Sequence, residues 1–246
     1  VTYPAQLWPA QQTFLQPNPE HPIDIAVFTG ERGCGKTFAA TLLGLKLALA
    51  TPNTIGLVIV PSKGFFWDVL EPLILQHLKG LQIKDARFSS TRMRLKLANG
   101  SEIRFRSIRQ ADRPTSVHWV HVADIHSLNE EEYVALFNVL RAPGQRHRLF
   151  TEAQRPFLPG SWQHRHFEAA KPSPVKSLRV IRGTAKENKA LPAWQHDPTL
   201  RPKHTLLAQP AVSNDQLEAL LTELLQPFQT HSPKPNRSSA PRRDSA

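Results

Sequence analysis

The chemistry most readily read from this chain lies in one unbroken stretch, Gly30-Glu31-Arg32-Gly33-Cys34-Gly35-Lys36-Thr37. Its glycines, lysine and threonine fit the phosphate-binding pattern G-x-x-x-x-G-K-[ST] at every fixed position. A loop of this kind turns successive backbone N–H groups, and the N-terminus of the helix behind it, towards phosphate oxygens. The Lys36 ammonium would reach the β- and γ-phosphates, and the Thr37 hydroxyl would hold Mg²⁺. A second candidate is Asp124, which ends the apolar run 119–123. An acid at the tip of a strand beside the glycine-loop strand is where a Mg²⁺ ligand belongs.

These residues need a strand before the loop and a helix after it, and the flanks supply both. Residues 23–28 are apolar and rich in β-branched side chains, while residues 38–50 are rich in Ala and Leu with no proline. An accidental glycine-rich turn requires neither flank. Residues 55–60 form another continuous apolar run, the mark of a strand buried on both faces of a parallel sheet. Ser62 caps a predicted helix to residue 69, interrupted or kinked at Pro72, resuming to Leu78 and stopping at Gly80. Asn99-Gly100 between residues 92–97 and 102–108 predicts a β-hairpin. Asn129 caps a helix over 130–140, where Glu130, Glu131 and Glu132 oppose the helix dipole without any need for catalysis. Residues 147–152 and 178–181 read as strands, and 162–170 as a helix.

Upstream of the loop, a short helix begins after Pro9. Gln11 within it offers a donor and an acceptor together, which suits the edge of an adenine ring. A polar surface helix explains it equally well. The hairpin region, residues 84–113, holds nine basic residues against three acids. Its alternation puts Arg92, Arg94 and Lys96 on one face, which fits either a nucleic-acid backbone or a solvated sheet face. Residues 216–228 form an amphipathic helix with a leucine stripe that suits docking on the core. Residues 231–246, basic and rich in Pro and Ser, read as a disordered tail.

Composition narrows the partners. The chain has 246 residues, 40% of them hydrophobic, enough for one sizeable domain and a small appendage. A net charge of +11 points to a polyanion. No stretch approaches the ~20 apolar residues of a membrane span, and the N-terminal residues do not resemble a signal peptide. The single cysteine, Cys34, excludes internal disulfides and suits a reducing interior. The eleven histidines do not cluster at metal-ligand spacing.

Taken in order, these residues resemble the ATPase domain of the viral terminase large subunit, the motor that packages phage DNA. Pro9-Ala10-Gln11 is similar to the family's adenine-side glutamine motif. Gly30 to Thr37 is similar to its variant P-loop, with an arginine at the position of Arg32. Asn99-Gly100 followed by residues 105–108 resembles the strand pair before the acidic motif. The stretch from Thr151 to Pro156, with Trp162 after it, resembles the segment that couples hydrolysis to domain movement. Glu187-Asn188 and Leu191-Pro192 resemble the approach to the second domain. The match spans residue 1 to about residue 225.

The resemblance implies an α/β P-loop NTPase fold of RecA-like, additional-strand type. Its mostly parallel sheet would be flanked by helices and carry a β-hairpin insertion. Four segments follow: an adenine-side segment over 1–22, the ATPase domain over 23–183, a linker and helix over 184–230, and the tail over 231–246. ATP and Mg²⁺ are the implied cofactors, with Lys36, Arg32 and Asp124 as catalytic residues, Thr37 and Asp124 as metal ligands, and Thr151 as the coupling residue. Arg32 would stabilise charge developing on the γ-phosphate. Double-stranded DNA, a homo-oligomeric ring, a portal, a small terminase subunit and a separate nuclease chain are the implied partners. The host cell interior is the implied location.

Two departures bear on activity. Where the family has a glutamate after the aspartate, this chain has Ile125, which can neither orient nor deprotonate water. A nucleotide-binding module without hydrolysis is therefore a second reading, and a basic DNA-binding scaffold a third. If the absent base is the defect, Ile125→Glu should raise hydrolysis; Glu152 or the group Glu130 to Glu132 are candidate substitutes. The carboxylate cluster of the family's nuclease is also missing, so no nuclease activity is expected from this chain.

Overall fold

The computed structural model describes residues 7–16, 21–110, 116–143, 147–170 and 176–188. The expected helix over 216–228 and the tail over 231–246 lie outside them. Helix α1 (Pro9–Leu15) precedes strand β1 (Ile23–Gly30) and helix α2 (Lys36–Ala50). Strand β2 (Ile55–Ile59) leads into helices α3 (Lys63–Phe65) and α4 (Glu71–Gly80), then into strands β3 (Arg87–Ser89), β4 (Arg94–Lys96) and β5 (Glu102–Arg106). Strand β6 (Trp119–Val122), helix α5 (Glu130–Val139), strand β7 (His147–Ala153), helix α6 (Trp162–Phe167) and strand β8 (Lys176–Gly183) follow.

The strands form one eight-stranded sheet in the order β3-β4-β5-β2-β6-β7-β1-β8. Every neighbouring pair from β5 to β8 is parallel, while β3 with β4 and β4 with β5 pair antiparallel. Strand β7 separates β1, which feeds the glycine loop, from β6, which leads to Asp124. That inserted strand is the additional-strand feature of the RecA-like P-loop fold. The hairpin is less of an appendage than the sequence implies, because β5 is itself a parallel neighbour of β2.

Apolar runs explain the sheet. Ile25, Ala26, Val27 and Phe28 of β1 are all buried, because helices cover both faces. Ala26 and Phe28 join Phe150 and Trp119 against α1 and α2; Ile25 and Val27 join Leu149, Val120 and Val122 against α5. Phe14 of α1 sits 5.2 Å from the Phe28 ring and 6.2 Å from Phe150, so α1 is part of the core. Gly56 makes room for Trp119, since a Cβ there would lie 2.0 Å from the indole.

At the end of the sheet where β1 begins, buried Asp24 accepts from Arg148 Nε at 2.8 Å and from Ser177 Oγ at 2.9 Å. Arg148 and Arg179 also donate to the Gln16 carbonyl, and Arg179 to that of Thr13. Carbonyls left over at the end of α1 thus find partners on the sheet.

Pro72 does not break its helix. The chain passes from α3 to α4 through a π-helical turn, Phe66–Leu70, in which Glu71 N bonds to Phe66 O. Proline then sits in the first turn of α4, where a missing N–H costs nothing. In the hairpin the ladder closes at Lys96 and Glu102, leaving Asn99-Gly100 in a wider loop. Asn99 Nδ2 donates to Ala48 O at 2.9 Å and Leu49 O at 3.3 Å, which ties the loop to the end of α2. On the basic face, Arg94 and Arg104 both grip Glu102. Burial alone would raise the Glu102 carboxyl pKa, but the two guanidiniums hold it below the ordinary value. Lys84, Arg87, Arg92 and Lys96 remain exposed.

His77 of α4 is fully buried, with its ring 4.8 Å from that of Phe38. Burial lowers its pKa from 6.5 to about 3, the Phe38 backbone opposing. The unfolded chain therefore takes up a proton that the folded chain refuses as pH falls below 6.5. Stability present above that pH should decline towards pH 3 by on the order of 1 kcal/mol per pH unit. Urea midpoints measured against pH should show this slope, and His77→Leu should flatten it.

Candidate functional site

The carboxyl ends of β1, β7 and β6 lie side by side, and the loop after β1 folds over them. Two glycines fix its shape. Gly30 has φ +141°, and a Cβ there would lie 2.0 Å from Gly183 O. Gly35 has φ +75°, and a Cβ there would lie 2.3 Å from Gln11 Nε2. Neither place accepts a side chain.

The loop is held from behind by two segments, α1 and residues 183–188. Gln11, fully buried, donates from Nε2 to Gly35 O at 3.3 Å and accepts from Trp8 N at 3.1 Å. The structure thus sets this glutamine against the loop backbone. Glu31 accepts from Ala185 N at 2.7 Å, and its own N–H reaches Gly183 O at 3.3 Å. Asn188 Nδ2 donates to Gly33 O at 2.7 Å. Arg32 and Glu31 stand exposed at the loop crest. Buried Cys34 fills the loop interior; burial pushes its thiol pKa up against the pull of Lys36, so it stays a neutral thiol.

Lys36 opens α2 and is 4% exposed, its ammonium donating to Gly30 O at 2.9 Å and Glu31 O at 2.8 Å. The next residue, Thr37, donates from Oγ1 to Glu152 Oε2 at 2.5 Å. Among the described residues, the carboxylate bonded to Thr37 is that of Glu152, not of Asp124. Asp124 is half-buried beyond the end of β6, and its Oδ1 accepts from His126 N at 3.1 Å as the cap of a 3-10 turn. Ile125, beside it, is fully buried in the cluster with Leu128, Tyr133 and Leu136 on the α5 side.

From the sequence Glu152 is only a candidate substitute for a missing acid, and His121 does not stand out at all. Both lie on the face of the sheet covered by α2, because strand alternation groups Trp119 with His121 and Phe150 with Glu152. His121 Nε2 sits 3.1 Å from Glu152 Oε1, and its ring stacks on Phe150 at 4.9 Å and 9°. The one sequence signal for the pair is a polar residue at the inward beat of each apolar run. Thr151, on the opposite beat, is fully buried and donates from Oγ1 to Val122 O at 2.8 Å, clasping β7 to β6. Glu130 lies elsewhere, bonded to Arg165 and His166.

The oxygen donors suit Mg²⁺. A hydroxyl from Thr37 and carboxylates at the ends of β6 and β7 are hard ligands of the kind this ion takes. Among the described residues no group of three or more His, Cys, Asp or Glu is arranged to hold a metal unaided. Mg²⁺ at a phosphate loop needs no such cage, since phosphates and water complete its shell. Among the same residues, no helix is long and apolar enough to cross a membrane.

The fold is shared with solved terminases. The large terminase of a thermophilic bacteriophage, in complex with ADP, superposes with TM-score 0.64 at 14% identity, over 79% of this chain and 49% of that one. The same protein in complex with ATP-gamma-S gives 0.64 at 13%, again over 79% and 49%. The HK97 bacteriophage large terminase gives 0.59 at 15%, over 73% of this chain and 40% of that one. The chain therefore spans half or less of the length of these structures. No curated protein matches it. Identities this low speak to architecture alone, but a family model described as phage terminase large subunit matches residues 24–201, well over half the sequence. Sequence and fold thus agree that this chain belongs to the phage terminase large subunit family.

Proposed function

We propose that this chain binds Mg·ATP at the loop from Gly30 to Thr37 and couples its hydrolysis to the movement of double-stranded viral DNA. The observation that carries the reading is the placement of Lys36 and Thr37 at the carboxyl ends of parallel strands, with Glu152 on the adjacent strand β7 and Asp124 beyond the end of the next strand, β6. Ligands of open α/β sheets bind at that edge. The complexes of the thermophilic phage terminase with ADP and ATP-gamma-S support the choice of nucleotide.

In this reading Lys36 exchanges its two loop carbonyls for β- and γ-phosphate oxygens, and exposed Arg32 reaches the γ-phosphate as its charge changes. Thr37 and Asp124 would hold Mg²⁺, which when bound supplies charge neutralisation across the β- and γ-oxygens. Gln11 keeps Gly35 in its left-handed conformation and lies on the adenine side. Thr151 clasps the strand of Glu152 to the strand of Asp124, so a shift at one is felt at the other. The net charge of +11 and the exposed hairpin cations favour a nucleic-acid track. A ring of copies, a portal, a small terminase subunit and a nuclease chain would complete the motor.

Phosphate release from ATP, measured with and without double-stranded DNA, tests this reading. Turnover that rises with DNA and requires Mg²⁺ is the expected result. ATP binding without turnover under any of these conditions would favour the module that binds and does not hydrolyse.

A further inference from the structure

We propose that Glu152, presented from β7, is the carboxylate that positions and deprotonates the attacking water, and that His121 is the residue that positions Glu152. This rests on the hydrolytic reading above and names the group that reading lacks once Ile125 occupies the place after Asp124.

Burial is the first argument. Glu152 has no exposed surface. A carboxylate in such a place is costly unless hydrogen-bonded, and apolar packing alone gives no reason for an acid there. Its two oxygens are divided between partners of different kinds. Oε1 faces His121 Nε2 at 3.1 Å, deep in the sheet, while Oε2 accepts from Thr37 Oγ1 at the loop. Gln154 Nε2 stands 3.5 Å from Oε2. When Thr37 turns its hydroxyl to a nucleotide complex, Oε2 is released at the phosphate end, and Oε1 remains anchored.

The anchor is itself rigid. His121 is 2% exposed, and its ring is held flat against Phe150, which also packs 5.6 Å from Trp119. The tautomer with hydrogen on Nε2 donates to the carboxylate and fixes its plane. Asp124 is differently engaged, through Oδ1 to His126 N, and is left for its metal role. The two acids thus divide the work by strand.

The step balances without further reactants. The water oxygen forms a bond to the γ-phosphorus as the bridging β–γ P–O bond breaks, and its electron pair leaves on ADP. The water's proton passes to Glu152 Oε2 and from there to the phosphate product, which restores the carboxylate.

Four variants of the full chain test this, each checked by thermal melting, by binding of a fluorescent ATP analogue with Mg²⁺, and by DNA-stimulated phosphate release. Glu152→Gln should bind the analogue within ~3-fold of the parent and lose at least ~100-fold in kcat, the scale of general-base catalysis. His121→Leu should lower kcat ~10-fold with KM unchanged, and His121→Gln, which returns an amide donor, should recover part of that loss. A purely structural histidine would shift melting and KM together and show no rescue. Lys36→Ala separates the two readings. If it weakens binding as expected of a phosphate ligand while Glu152→Gln turns over at the parental rate, the role of Glu152 is overturned and the nucleotide site stands. If Glu152→Gln loses analogue binding in proportion to turnover, Glu152 is a binding group and the proposal is equally overturned. A parent chain that binds no ATP overturns both.

Discussion

Lys36→Ala should lower affinity for Mg·ATP by ~10- to 100-fold, the worth of one or two charge-assisted hydrogen bonds, and remove turnover with it. Lys36 is the buried cation of the loop, and its ammonium is poised on the carbonyls of Gly30 and Glu31. Those carbonyls lie where the chain bends from β1 into the loop, so exchanging them for phosphate requires only that the side chain swing outward. Alanine removes both the charge and the strap across the loop, while α2 keeps its buried leucines and should stay folded. Isothermal titration with ATP in Mg²⁺, alongside a melting curve, reads the two effects separately. Unchanged ATP affinity in a folded variant would sink the assignment of the loop to phosphate.

Ile125→Glu should unfold the site before it improves it. Sequence alone suggests that a glutamate after Asp124 would restore hydrolysis. The structure turns that side chain away from the loop, into the apolar cluster beneath α5. Ile125 has no exposed surface, and its neighbours Leu128, Tyr133 and Leu136 supply almost nothing for a carboxylate. Uncompensated buried charge costs roughly 3–5 kcal/mol, and a carboxyl there would take up a proton sooner than ionise, so it would not serve as a base. The expected result is a urea midpoint lowered by that energy and no gain in ATP turnover. A variant as stable as the parent that hydrolyses ATP faster would show that the 3-10 turn after Asp124 reorients readily, and would return the base to position 125.

Local features carry much of the fold. The glycine loop, its strand and its helix are readable because phosphate binding demands a fixed spacing, Gly30 to Thr37, and flanks of opposite periodicity. Asn129, Ser62 and Asn99-Gly100 mark their elements because capping and turn chemistry acts over two to four residues. Pro72 reads as a break or kink where a π-helical turn in fact absorbs it, since that choice depends on how Phe66 and Leu70 pack. The order of strands is beyond local reading, because parallel neighbours such as β7 and β1 pair across more than a hundred residues.

The sequence by itself determined that a glycine loop with the spacing of a phosphate-binding motif stands between a strand and a helix, and which residues make it. It also determined that a glutamate is absent from position 125. Only the tertiary structure decided which acid stands beside Thr37. Glu152 lies in the sequence far from the loop and ends an apolar run like any strand residue. It becomes part of the site because β7 inserts between β1 and β6, and because alternation turns it, with His121, to the face of α2. Loop geometry is a property of adjacent residues; the company a carboxylate keeps is a property of the sheet.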